Sequence, residues 1–331
     1  METPKIENLP PPPNVIGALK AGFETISTHL TVILFPLILD LLLWLGPRLS
    51  VDKLFLPVLA EFQRLTKDTS LPSTSPADVA SAIEIYKQAF ERFNLLSVLR
   101  TFPIGISSLI SGMAPTGTPL GTAQILPVLS SESLLGWIAL LTLLGWLGGG
   151  IYFRWVASLA LPPEQSVSGR AVWQSLALSI IFMILSFMIG MPLFLVIYVL
   201  FLVSPVLAQG VLLLMGFLSM WLVVPLFFAG HGIFMRGQNV FASILSGIQM
   251  ARFSLPTSSL FVLCVLFISM GLNFLWSIPS PDSWMLLVGI LGHAFITTAL
   301  LAASFIYYRD MTGWLQTVME KLKANPLTPQ A

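Results

Sequence analysis

Four polar side chains occupy stretches that are otherwise apolar: Asp40, His293, Asn273 and Gln209. Asp40 lies within the run Phe35–Leu45, roughly 9 Å from its far end at 1.5 Å per residue. An ionised carboxylate at such a depth in lipid costs about 2.5–3.5 kcal/mol, so it must face water or a partner. Together with His293, Asn273 and Gln209 it would line a polar pocket opening outward. In that pocket Asp40 and His293 would form a proton- or cation-responsive pair. The plainer alternative makes Asp40 a packing residue paired with Arg48 and His293 a satisfied interior histidine.

No other constellation carries chemistry. His29, His231 and His293 are too far apart, and too poor in acidic neighbours, for a metal site. His29 and His231 read as interfacial residues. Glycines recur over 145–150, but no Lys-Ser/Thr follows and no strand precedes them, which rules out a phosphate loop. Gly145 and Gly149, four apart, fit close helix–helix packing in lipid instead. There is no Ser-His-Asp order and no paired carboxylate site. The expectation is a protein without catalytic, cofactor-binding or metal-ligating residues.

The elements that must position these residues belong to a membrane protein. Of 331 residues, 56% are hydrophobic and 9% charged, too apolar a balance to cover a surface in water. Lipid is therefore the first expected partner. The net charge of +1 argues against nucleic acid, which calls for a basic footprint. A single cysteine, Cys264, excludes an intrachain disulfide. The start, METPKIENLPPPPN, lacks the basic lead and short apolar core of a cleaved signal, so the first apolar run would act as an uncleaved anchor.

Six apolar runs approach the length of a bilayer crossing: 30–46, 134–153, 172–203, 206–228, 258–278 and 284–308. The first is short but extendable backwards through Phe23 and Ile26. The third is too long for a straight crossing, so 172–180 reads as an elbow and Gly190 and Pro192 as a kink. Orientation follows from the basic residues. Lys5, Lys20, Arg154, Arg170, Arg236, Arg252, Arg309, Lys321 and Lys323 all fall on one side, taken as cytoplasmic together with both termini. The remaining seven lie in the long segment 47–133, where charge does not govern translocation. Residues 1–29 are then a cytoplasmic segment and elbow, 30–46 the first span, and 47–133 an extracytoplasmic helical cap with an interfacial stretch. Residues 134–308 carry the other five spans and 309–331 form a cytoplasmic tail. Trp44, Trp137, Trp276 and Trp284, with Tyr152, Tyr307 and Tyr308, would form the two aromatic belts.

An internal repeat emerges. Ile151-Tyr152-Phe153-Arg154, Ile233-Phe234-Met235-Arg236 and Ile306-Tyr307-Tyr308-Arg309 would end the even helices, their arginines acting as interfacial anchors. Segments beginning at Ala18, Ala171 and Ser243 share a small–apolar–x–x–small–apolar pattern whose second small residue is Gly22, Ser175 or Gly247. The predicted fold is all-α: three helical hairpins under a helical cap. In the cap, Val51, Leu54, Phe55, Val58, Leu59, Phe62 and Leu65 share one helical face. Val79, Ile83, Tyr86, Phe90 and Phe93 share another, after a turn at 71–75 capped by Ser75. Residues 95–113, broken by Pro103 and Gly105, would lie in the outer interface or dip into it.

At two elbows, ALKAGFETISTHLTVILFPLILDLLLWL and FASILSGIQMARFSLPTSSLFVLCVLFI, the chain resembles a loose group of bacterial multi-pass membrane proteins. These are YciC-like proteins and the membrane domain fused to some glycerophosphodiester phosphodiesterases. The resemblance implies elbows, hairpins and a bacterial cytoplasmic membrane. The long cap departs from it, no phosphodiesterase domain is present, and no functional residue carries over. The expected function is a non-enzymatic scaffold, assembly or envelope-associated component, with a membrane-protein partner or a second copy. The alternative is a small permease using Asp40 and His293; an intramembrane lipid enzyme lacks a second acid–base partner.

Overall fold

The computed structural model describes residues 10–68, 76–110, 112–115 and 117–324. The turn at 71–75 with its expected cap Ser75 lies outside the described residues, as does the Val79 side chain. Helices dominate. They are α1 (Val15–Thr28), α2 (Leu34–Leu45), α3 (Asp52–Asp68), α4 (Pro76–Arg92) and α5 (Ser131–Ala160), then α6 (Arg170–Val203), α7 (Pro205–Phe228), α8 (His231–Arg236), α9 (Val240–Trp276) and α10 (Leu286–Ala324). One element was absent from the expectation: β1 (Arg48–Ser50) pairs in parallel with β2 (Ile125–Pro127).

Five stretches are long and apolar enough to cross a membrane: α5, α6, α7 with α8, α9 and α10. Val15–Thr28 and Leu30–Leu45 add a sixth if their bent pair counts as one span. The bend there is 92°, so the first run does not extend backwards through Phe23 and Ile26 as a continuous rod. The cause is local. Thr25, Thr28 and His29 turn their side chains onto the carbonyls of Ala21, Glu24 and Thr25, which satisfies the end of α1 and lets the chain leave the helix. In α9 the break falls at Ser254 (φ −128°, ψ 26°), two residues before Pro256. Proline has no N–H for the ladder and crowds the preceding turn, while Ser254 Oγ bonds back to Met250 O at 2.6 Å. By contrast α6 is one helix from Arg170 to Val203, with Gly190 and Pro192 inside it.

Contacts divide the chain into two compact units, Met1–Val32 with Gly150–Ser269 and Ile296–Ala331, and Ile33–Gly149 with Met270–Phe295.

In the first unit the three repeated segments share a role. Ala18, Gly22, Ala171, Ser175, Ser243 and Gly247 are all buried. Each segment seats on the long helix before it in the chain, and the first seats on the last. A Cβ on Gly22 would lie 2.5 Å from Ala303 Cβ and 2.6 Å from Ala299 O of α10. One on Gly150 of α5 would lie 2.6 Å from Ser175 Oγ, and one on Gly247 3.2 Å from Pro225 O of α7. These contacts close a ring of three. Small residues let backbones approach, which is the main source of helix association where no water drives it.

The aromatic-arginine motifs pack the same unit. Phe153, Phe234 and Phe305 form a triangle with ring centroids 5.8, 6.0 and 5.8 Å apart. Tyr152, Tyr307 and Tyr308 are at most 1% exposed, so they are core residues rather than belt residues. Tyr152 hydrogen-bonds Thr298 Oγ1 at 2.8 Å, and Tyr307 stacks on Phe261 at 4.2 Å. His231, expected at the interface, is 5% exposed. Its ring lies 4.8 Å from that of Phe305, and its Nε2 meets Ser304 Oγ at 2.8 Å. Nor do the motifs end their helices, except at α8: α5 continues to Ala160 and α10 to Ala324.

Candidate functional site

The second unit contains Asp40, and its surroundings begin with α2. That helix presents Leu37, Leu41 and Trp44 to Leu286 and Ile290 of α10. Trp44, expected in a belt, is 1% exposed and donates from Nε1 to Pro281 O at 2.7 Å. Asp40 shares this inward face and is fully buried. Its partner is not Arg48. Ser108 Oγ donates to Oδ1 at 2.5 Å, Leu109 N to Oδ2 at 3.1 Å, and Ile110 N to Oδ1 at 3.2 Å. Leu109 and Ile110 complete the apolar cluster around Trp44, so the same two residues supply both oil and N–H groups.

The segment that Asp40 grips is the former interfacial stretch. It opens as a 3-10 turn, Leu95–Leu99, capped by Asn94, whose Oδ1 accepts from Leu96 N at 3.2 Å and from Leu49 N at 3.1 Å. Beyond the turn the chain is irregular, and its course is set by α5. A Cβ on Gly145 would lie 2.5 Å from Thr101 Cγ2 and 2.6 Å from Leu99 O; one on Gly149 would lie 2.7 Å from Gly105 Cα. The paired glycines therefore admit an irregular backbone, not a second helix as expected. Gly145 is about 21 Å along α5 from Ser131 at 1.5 Å per residue, so this backbone reaches far down an apolar helix.

Irregular backbone beside lipid is tolerated only where protein satisfies its polar groups. The groups here are satisfied by named side chains. Arg100 Nη1 donates to Ile110 O at 2.6 Å, Trp146 Nε1 to Phe102 O at 3.3 Å, and Thr101 Oγ1 to Ile104 O at 3.0 Å. Asp40 takes the donors. Each buried donor left unpaired would cost about 1–3 kcal/mol, so the carboxyl offsets a large penalty.

The four predicted pocket residues fare differently. Asp40 and His293 are both buried. Asn273 is exposed in this unit, and Gln209 is exposed in the first unit. Both oxygens of Asp40 accept hydrogen bonds, Oδ1 two and Oδ2 one. Among the described residues, no group of three or more His, Cys, Asp or Glu could hold a metal. Ser108 and Asn94 were missed in the sequence. Asn94 had a legible signal, a side-chain acceptor just before an apolar turn; Ser108, one of four serines in the run 95–113, had none.

The expected anchors also serve the backbone. Arg154 Nε donates to Val167 O at 3.0 Å, and Arg309 Nη1 to Ala160 O at 2.5 Å; Arg236 is exposed. The cap helices pack through Phe55 and Phe90, stacked at 4.6 Å, over Leu49, Val51, Leu95, Val128 and Leu141. Val58, Phe62 and Leu65, expected on the packed face, are 63%, 53% and 51% exposed. Comparison of the chain with protein-family models, curated proteins and solved structures finds no match.

Proposed function

We propose that the protein is a non-enzymatic scaffold, assembly or envelope-associated component of a bacterial cytoplasmic membrane. In this reading six spans form three hairpins, both termini are cytoplasmic, and residues 47–133 make an extracytoplasmic cap. The partner is a membrane protein or a second copy of the chain. The observation that carries the reading is the engagement of Asp40. The one acidic side chain deep in an apolar run accepts three hydrogen bonds, from Ser108, Leu109 and Ile110, and so holds the irregular segment in place. The phenyl triangle of Phe153, Phe234 and Phe305 adds support, because three rings in contact leave no aqueous passage between them. The repeated elbows, which resemble those of YciC-like proteins, support the bacterial membrane setting.

Proteoliposomes carrying the chain are expected to leak protons and potassium no faster than empty ones. A flux that disappears in Asp40→Asn would replace this reading with the permease. One observation favours that second reading: Asp40 and His293 are both buried polar side chains of the second unit, 0% and 6% exposed. The orientation has its own test. In a Cys264→Ser background, Ser81→Cys should react with an impermeant maleimide on intact cells, and Ser168→Cys only after permeabilisation. The reverse pattern inverts the topology.

A further inference from the structure

The first unit has a groove of about 320 Å³ at the junction of α5 with the α5–α6 link. One wall is a single face of α5: Ile151, Arg154, Trp155 and Ser158, spaced i, i+3, i+4 and i+7. The other wall is Ser166 and Val167 of the link. Arg154 does double work here. Its Nε bonds Val167 O, which ties the link to the helix and fixes the guanidinium plane. A planar guanidinium held at one nitrogen still presents its terminal N–H groups as a fork matched to phosphate oxygens.

Charge marks Arg154 out from its counterpart. Arg309 is paired with Asp310 at 2.8 Å, whereas no described carboxylate lies within ion-pair distance of Arg154. The Ser166 hydroxyl lines the same groove and can donate to a phosphate oxygen, whereas Ser158 Oγ donates to Trp155 O at 2.6 Å. Ile151 and Trp155 add apolar surface at its edge, 48% and 37% exposed, on a helix apolar enough to span a membrane. An arginine with serines and an exposed tryptophan at the end of such a stretch suits the phosphate level of a leaflet.

We propose that this groove binds the phosphodiester headgroup of an anionic phospholipid, with Arg154 as the counter-charge. The assignment rests on the membrane reading above. The test uses the full chain in neutral detergent, with bound lipid counted by native mass spectrometry. Phosphatidylglycerol is expected to bind Ser166→Ala more weakly than the wild type, and Ser166→Glu roughly fivefold or more weakly, the effect of about 1 kcal/mol per charge. Phosphatidylcholine should bind more weakly than phosphatidylglycerol. Undiminished binding by Ser166→Glu, or equal binding of both lipids, overturns the site. Displacement of the lipid by an equimolar amount of inorganic phosphate overturns the lipid assignment in favour of a free anion. A chain that stays dispersed without detergent removes the membrane reading as well; one that needs detergent but ignores Ser166→Glu removes only the groove.

Discussion

The two units solve the same problem by opposite means. The described core of the first is built from helices, broken at Ser254, and it is held largely by small residues and aromatic rings: Gly22 on Ala303, Ser175 on Gly150, and the triangle of Phe153, Phe234 and Phe305. The second contains an irregular segment reaching along α5, and it is held by polar side chains, Asp40, Asn94, Arg100 and Trp146. Regular helix satisfies most of its own backbone, so side chains such as Tyr152 with Thr298 and His231 with Ser304 in the first unit bond to one another. Irregular backbone does not, so the second must place hydrogen-bonding groups in its interior. The difference teaches that a buried carboxylate in an apolar run need not mark transport. It can be required by the backbone it serves.

The comparison breaks most readily at Asp40. Replacing it with alanine leaves Leu109 N and Ile110 N without their acceptor and Ser108 Oγ with Ile110 O alone, and should cost about 3–5 kcal/mol. Limited proteolysis should then cut within 95–130 while the first unit stays protected. Asp40→Asn, which keeps one acceptor oxygen, should cost less. Unchanged protection in Asp40→Ala would remove the polar-staple account.

Gly22→Val probes the other unit. The new side chain meets the α10 backbone at Ala299, which should cost about 1–3 kcal/mol and lower the detergent-solubilised melting temperature. Gly210→Val, where a Cβ meets nothing within 4 Å, should leave it unchanged. If the two variants melt alike, the ring of elbow contacts does not hold the unit.

A smaller effect is expected at one of the polar groups the first unit buries. Ser304→Ala removes the partner of His231 Nε2 and should cost about 1–2 kcal/mol by thermal denaturation. A cost as large as that of Asp40→Ala would erase the contrast between oily and polar units. The smallest effect belongs to the cap surface: Phe62→Ser, at a position 53% exposed, should fall within about 0.5 kcal/mol. A larger loss would mean that this face is covered in the native protein.

Periodicity and composition alone determined the helical class, the apolar stretches and the positions of the repeat. Those properties depend on which side chains follow one another, and spacing records that directly. The small–apolar pattern at Ala18, Ala171 and Ser243 pointed to contact sites that are buried in the structure. Asp40 was singled out correctly as needing a partner, because its burial cost is a property of the residue and its run. The partner's identity was a different matter. Ser108 and Ile110 lie 68 and 70 positions away, and Tyr152 and Thr298 are 146 apart. Nothing in a local window records which distant backbone will arrive. The same limit explains the aromatics. An aromatic-arginine motif reads alike whether its rings face lipid or one another, and only the meeting of three helices at Phe153, Phe234 and Phe305 decided that they face inward.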